Sequence, residues 1–262
     1  MTNENDSPSR ETARHTRLAI VWTVLGSLGT LAIFPYILTL NPSLLDEVTL
    51  PLPVVVLVSV LQTGLLLLLS SWVGLRLGAV VGLDSPLLRA WVYHTERPVI
   101  AFRKLVIAIF TGFFGGFFIL LLDKLFQPFM PSTVQVAEIS IEPWKGLLAS
   151  FYGGITEELL MRLFLMTLIT WLIWKIFQKG QGAPTALVFW IAIVAAALLF
   201  GAGHLPTAAD LWPLTTMVVT RTILLNAVGG IAFGFFYWRW GLEYAVIAHF
   251  FADIAIHGFG GI

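Results

Sequence analysis

The sequence predicts an all-α fold: a polytopic membrane bundle of about seven helices in a single domain. Three observations lead there. Of 262 residues, 58% are apolar and 11% charged, against about 25% charged in a soluble globular protein. Mean hydropathy is +0.88. The apolar residues also gather into runs near the ~20 that a helix needs to cross a bilayer. Net charge is zero and there is no cysteine. Nothing therefore points to nucleic acid, and disulfides, thiol nucleophiles and cysteine-based zinc sites are excluded.

Taken in order, residues 1–17 are polar and mixed in charge and read as a disordered tail. They lack the pattern of a cleaved secretory leader. Residues 18–262 then form the membrane domain. The expected spans are Leu18–Leu40, Leu52–Leu75, Leu105–Phe126, Trp144–Ile169, Ala183–Gly203, Trp212–Trp238 and Leu242–His257. The fourth continues towards Phe177 through Trp171 and Trp174. Arg76–Lys104 is less apolar and reads as an amphipathic interfacial helix or a loop, with an eighth span as the alternative. Basic residues collect on the cytoplasmic side of short loops. With the N-terminus inside, Arg10, Arg14, Arg17, Arg76, Arg89, Arg97, Arg103, Lys104, Lys175, Lys179 and Arg239 fall inside. Only Lys124 and Lys145 fall outside. The expectation is thus a multi-pass protein of a bacterial cell membrane with a cytoplasmic N-terminus. The outer loops also hold Asp46, Glu47, Glu138 and Glu142.

The fourth span carries Glu157, Glu158 and Arg162. A charge at bilayer depth costs roughly 2.5–3.5 kcal/mol on insertion scales, so three together need partners, water or a task. Glu158 and Arg162 are four residues apart, share a helix face and can pair. Glu157 is turned about 100° from Glu158 and is left as the free carboxylate. The alternative is a polar seam that only holds helices together.

Other intramembrane polar groups fall on separate spans. His204 follows Gly201-Ala202-Gly203 at the end of the fifth. His249 and Asp253 share one face of the seventh, where a carboxylate can fix an imidazole tautomer. Arg221, Asn226 and His257 are assigned no chemistry, and His257 reads as a wet helix end. A carboxylate and two histidines from three spans can converge only in a bundle. Together they suit water activation, either by glutamate as general base or by a metal that lowers the pKa of water. The His-Glu-x-x-His metalloprotease pattern is absent, as are Gly-x-Ser-x-Gly and Ser/Lys sites. Gly112 with Gly116, Gly153 with Gly154, and Gly229, Gly230 and Gly234 read as close helix contacts.

Glu157-Glu158-x-x-x-Arg162, Phe200-x-x-x-His204 and His249-x-x-x-Asp253 resemble the three ordered motifs of the CPBP (CAAX protease and bacteriocin-processing, or Abi) intramembrane protease family. Gly74-Leu75-Arg76-Leu77-Gly78 is similar to that family's upstream segment. The resemblance covers about Trp144 to the C-terminus, with a motif-bearing core at 144–257. It implies a membrane-embedded endopeptidase, metallo- or glutamate-dependent, with Glu157 activating water and His204 assisting or ligating. His249 and the residue four later would bind the scissile carbonyl and its oxyanion. Glu158, Arg162 and Phe200 would support them. Asparagine is familiar at the later position, and an ionised Asp253 cannot donate to an oxyanion. Zinc or another divalent metal on His204, His249 and Glu157, and catalysis without metal, both stay open.

Two other classes compete: a non-catalytic immunity or scaffold protein on the same fold, and a proton-coupled transporter, against which no inverted repeat is visible. The expected partners are the lipid bilayer and a membrane-associated peptide or protein substrate, lipidated or not. His204 falls towards the outer leaflet, which disfavours a prenylated CAAX substrate arriving from the cytoplasm.

Overall fold

The computed structural model describes residues 8–42, 49–94, 100–131, 141–180 and 182–259. The first seven residues, Arg97, and the acids Asp46, Glu47 and Glu138 lie outside these. All regular structure among the described residues is helical. The elements are α1 (Pro8–Ala32), α2 (Phe34–Leu40), α3 (Leu52–Val81), α4 (Pro86–Tyr93), α5 (Phe102–Phe126), α6 (Pro143–Phe177), α7 (Ala186–Gly203), α8 (Leu205–Leu211), α9 (Thr216–Trp240) and α10 (Leu242–Phe259). Large apolar side chains stay exposed along the outer faces, among them Leu61, Leu65, Phe114, Phe118 and Leu187. Such rows belong in lipid, and this is an integral, multi-pass membrane protein.

Six helical stretches are long and apolar enough to cross a membrane: 14–40, 52–81, 102–129, 143–177, 186–211 and 216–240. They correspond to the first six expected spans. The seventh, α10, is 18 residues long, carries Glu243, His249, Asp253 and His257, and packs inside the bundle. The expected tail needs correction, because α1 already begins at Pro8. Proline suits a first helical turn, and the residues that follow extend a helix anchored by its buried apolar part. After the second span, the described residues 76–94 are mostly helical. Helix α3 runs on to Val81 and stops at Gly82, whose φ of 79° is a left-handed cap. The short amphipathic α4 follows.

Helix α4 fixes the start of α10. Glu243 accepts hydrogen bonds from the Ser85 hydroxyl (2.6 Å) and the Leu88 amide (2.8 Å), and Ser85 accepts one from the Trp22 indole (3.0 Å). The Leu242 amide donates to the Asp84 carbonyl (3.1 Å). Replacing Glu243 by alanine strands these donors, at about 1–3 kcal/mol. Glu243→Ala should therefore lower the unfolding temperature in detergent by a few degrees, read by tryptophan fluorescence.

Helix α10 is also held at its middle. A Cβ on Gly112 of α5 would lie 2.0 Å from the Ala248 carbonyl, and one on Gly116 would lie 2.6 Å from that of Ala252. Glycine is required there because the two backbones touch. A Cβ on Gly74 would lie 2.2 Å from the Leu163 carbonyl, so that glycine of the upstream segment seats α3 on α6.

Candidate active site

Helix α6 widens where its charges lie. Tyr152–Glu157 and Leu159–Met166 are π-helical turns, with ordinary α-helix before and after. Such widenings recur at functional sites. Gly153 and Gly154 occupy the first one and let α6 press on α10. A Cβ at Gly153 would fall 2.0 Å from Asp253 Oδ2 and 3.2 Å from His249 Nε2.

Glu158 and Arg162 pair, as the helical phase predicts. They are 0% and 1% exposed, and Nη1 lies 2.9 Å from Oε1. The contact is an ion pair without hydrogen-bond alignment. The guanidinium rests on aromatic faces instead, 4.9 Å from the Phe200 centroid and 5.4 Å from that of Phe233. Glu158 has a second partner that the sequence did not reveal: its Oε1 accepts a hydrogen bond from His249 Nδ1 at 2.8 Å. This corrects the expected part of Asp253, since Glu158 is the carboxylate that fixes the His249 tautomer. Asp253 lies on the opposite ring edge, 3.6 Å from Nε2. Phe233 stacks on the imidazole at 4.4 Å and 19°.

Glu157 is the carboxylate left over, and it faces both histidines. Its oxygens lie 3.8 Å from His204 Nε2 and 3.7 Å from His249 Nε2. At that separation one water can touch carboxylate and imidazole together. His204 Nδ1 lies 2.9 Å from the Phe200 carbonyl. A carbonyl only accepts, so this nitrogen carries the proton. Nδ1 of His249 must likewise be protonated to bond Glu158. In the neutral rings both Nε2 atoms therefore hold lone pairs directed at the space beside Glu157. Phe200 sits edge-on to both rings, at 4.7 and 5.7 Å.

All the expected site residues thus converge: Glu157, His204, His249 and Asp253, backed by Glu158, Arg162 and Phe200. The imidazole lone pairs are of the kind a divalent metal takes. Yet among the described residues no three His, Asp or Glu side chains are gathered so as to hold a metal ion.

The site opens into a cavity of about 870 Å³. Ile37 of α2, Val55 of α3, Asp123 of α5 and Arg221 of α9 line it together with Glu157 and His204. These elements meet at the end of the bundle where α1 finishes, opposite Pro8. Three features here were not legible from sequence. Arg221 is paired with Asp123 at 2.5 Å and lies over Trp212 at 5.1 Å. Asn226 Nδ2 donates to the Thr222 carbonyl at 2.8 Å. His257 is not a wet helix end: it lines the cavity and meets the Tyr36 hydroxyl at 3.2 Å through Nδ1. An aspartate inside an apolar run was the signal available for Asp123. Phe233 gave none, since aromatic residues are common in spans.

A methyl group at Gly153 would collide with Asp253, while one at Gly115 meets nothing within 4 Å. Overpacking of this kind costs about 1–3 kcal/mol. Gly153→Ala should cut any turnover at this site at least tenfold, with Gly115→Ala indistinguishable from the parent as the control.

Residues 139–255 match the model of a family described as Rce1-like, type II CAAX prenyl endopeptidase Rce1-like. The match begins just before α6 and takes in all three motifs. No curated protein and no solved structure gives a match. The family is one of proteases, hence hydrolases, and the resemblance carried by the three motifs agrees with it. Over residues 139–255, which contain every residue of the site, the chain is thus similar to the Rce1-like CAAX protease family.

Proposed function

We propose that the protein is an intramembrane endopeptidase in which Glu157 activates the attacking water. One observation carries this reading: an otherwise uncommitted carboxylate stands within 4 Å of two imidazole lone pairs at the wall of a membrane cavity. Glu157 accepts a proton from water as its oxygen adds to the scissile carbonyl carbon. The same carboxyl then returns the proton to the leaving amine as the C–N bond breaks. General base action of this kind contributes about 10²- to 10⁴-fold. The water's second O–H is accepted at Nε2 of His204 or His249, and Glu158 and Phe233 hold the His249 ring. Metal analysis of the purified protein, with activity before and after chelation, reads whether zinc or another divalent ion also takes part.

The substrate is a membrane-associated peptide or protein, because the cavity walls are mainly apolar and lie among spans. The charge bias of the loops supports a cytoplasmic N-terminus. The cavity then opens at the outer face, which favours a substrate other than a prenylated cytoplasmic C-terminus.

The test is hydrolysis by the protein in liposomes of a membrane-anchored peptide reporter. The new C-terminal carboxylate should carry oxygen from ¹⁸O-labelled water, and Glu157→Gln should form it at least about 10²-fold more slowly. Equal cleavage by both proteins would remove the reading.

A further inference from the structure

In the hydrolysis proposed above, negative charge develops on the scissile carbonyl oxygen, and catalysis requires hydrogen-bond donors aimed at it. The groups nearest Glu157 supply few. Both histidines donate through Nδ1 away from the cavity, to Phe200 and Glu158. Asp253, when ionised, only accepts. Arg162 is fully buried against Glu158, Phe200 and Phe233. Asn226 has committed one of its two amide N–H groups to Thr222, and Tyr36 its hydroxyl to His257.

Tyr152 is differently placed. It opens the π-turn that Glu157 closes. In an α-helix two residues five apart are rotated by about 140°. The i→i+5 bonding of a π-turn brings them over one another. The widened turn thus sends both side chains to the same cavity, which Tyr152 and Glu157 line together with His204, His249 and Asp253. The phenol is half-buried and within electrostatic reach of Glu157. Among the described residues its hydroxyl has no hydrogen-bond partner. A tyrosine hydroxyl in such a position normally finds one.

We infer that Tyr152 is a further catalytic residue, whose hydroxyl donates a hydrogen bond to the oxyanion formed when water adds to the scissile carbonyl; this rests on the reading of Glu157 as the base. The proton taken from water stays on Glu157 and passes to the leaving nitrogen. Tyr152 keeps its own proton, and the carbonyl re-forms as the C–N bond breaks. One water is added, giving a carboxylic acid and an amine, which part as carboxylate and ammonium.

The test uses the full chain in liposomes with the same reporter. Tyr152→Phe keeps the ring volume, so KM and unfolding temperature should hold while kcat falls about 10²- to 10³-fold. A peptide aldehyde, whose hydrate mimics the tetrahedral adduct, should lose affinity for Tyr152→Phe by a similar factor. Asp253→Asn introduces an amide donor and, added to Tyr152→Phe, should recover part of the lost kcat. Undiminished kcat and aldehyde affinity in Tyr152→Phe, with Glu157→Gln inactive, would overturn the role of Tyr152 and leave Glu157 as the base. Cleavage by Glu157→Gln at the parent rate would overturn both.

Discussion

Glu157→Gln should reduce kcat by about 10²- to 10⁴-fold, the range for loss of a general base, and leave KM and folding unchanged. The reason lies in how little else Glu157 does. Its side chain is 21% exposed, and its two ion contacts, at 3.7 and 3.8 Å, are longer than hydrogen bonds. Glutamine keeps the shape and the dipole but accepts no proton, so the water stays near its ordinary acidity. Single-turnover cleavage of the membrane-anchored reporter separates this from a binding defect. A glutamine variant that turns over within a few-fold of the parent would mean that the histidines activate water unaided.

The site is stiff on one side and open on the other. Behind Glu157, the Arg162–Glu158–His249 chain is closed over by Phe200 and Phe233. In front lies the cavity. A charged, packed wall behind a reacting carboxylate keeps water out of the bundle core while leaving it available at Glu157. That arrangement makes an intramembrane charge cluster tolerable: Glu158 and Arg162 are paired or lie on aromatic faces, and the loosely held carboxylates, Glu157 and Asp253, line the cavity.

Much of this was legible in sequence. Apolar runs located the spans because the bilayer sets their length. Helical phase separated Glu158, committed to Arg162, from Glu157. What escaped was what periodicity cannot encode. The π-turns of α6 depend on Gly153 and Gly154 yielding to α10, which is a tertiary contact. The bond from His249 to Glu158 joins helices 91 residues apart, and within α10 alone Asp253 looked the better partner. The start of α1 at Pro8 was missed because polar composition was read as disorder, although a helix once nucleated extends at little cost.

The remaining large effect belongs to Glu158. Glu158→Ala should lower stability by about 3–5 kcal/mol, the cost of leaving a buried charge unpaired. It strands the Arg162 guanidinium, which is 1% exposed, and the His249 Nδ1 proton together. Arg162→Ala should cost less, because His249 still engages Glu158. The double variant should be more stable than the sum of the two losses predicts, and that surplus measures the pair. Arg162→Lys should rescue poorly, since an ammonium cannot lie flat on Phe200 and Phe233 as a guanidinium does. Glu158→Gln separates support from chemistry. It can still accept from His249 but carries no charge, so about tenfold to 100-fold of activity should be lost, the scale for groups that orient a functional histidine. Thermal unfolding followed by the ten tryptophans supplies the stability terms, since the chain reports on itself without a label. Additive losses in the cycle would mean that Glu158 and Arg162 are independent, and that the aromatic rings alone hold the arginine in the bundle.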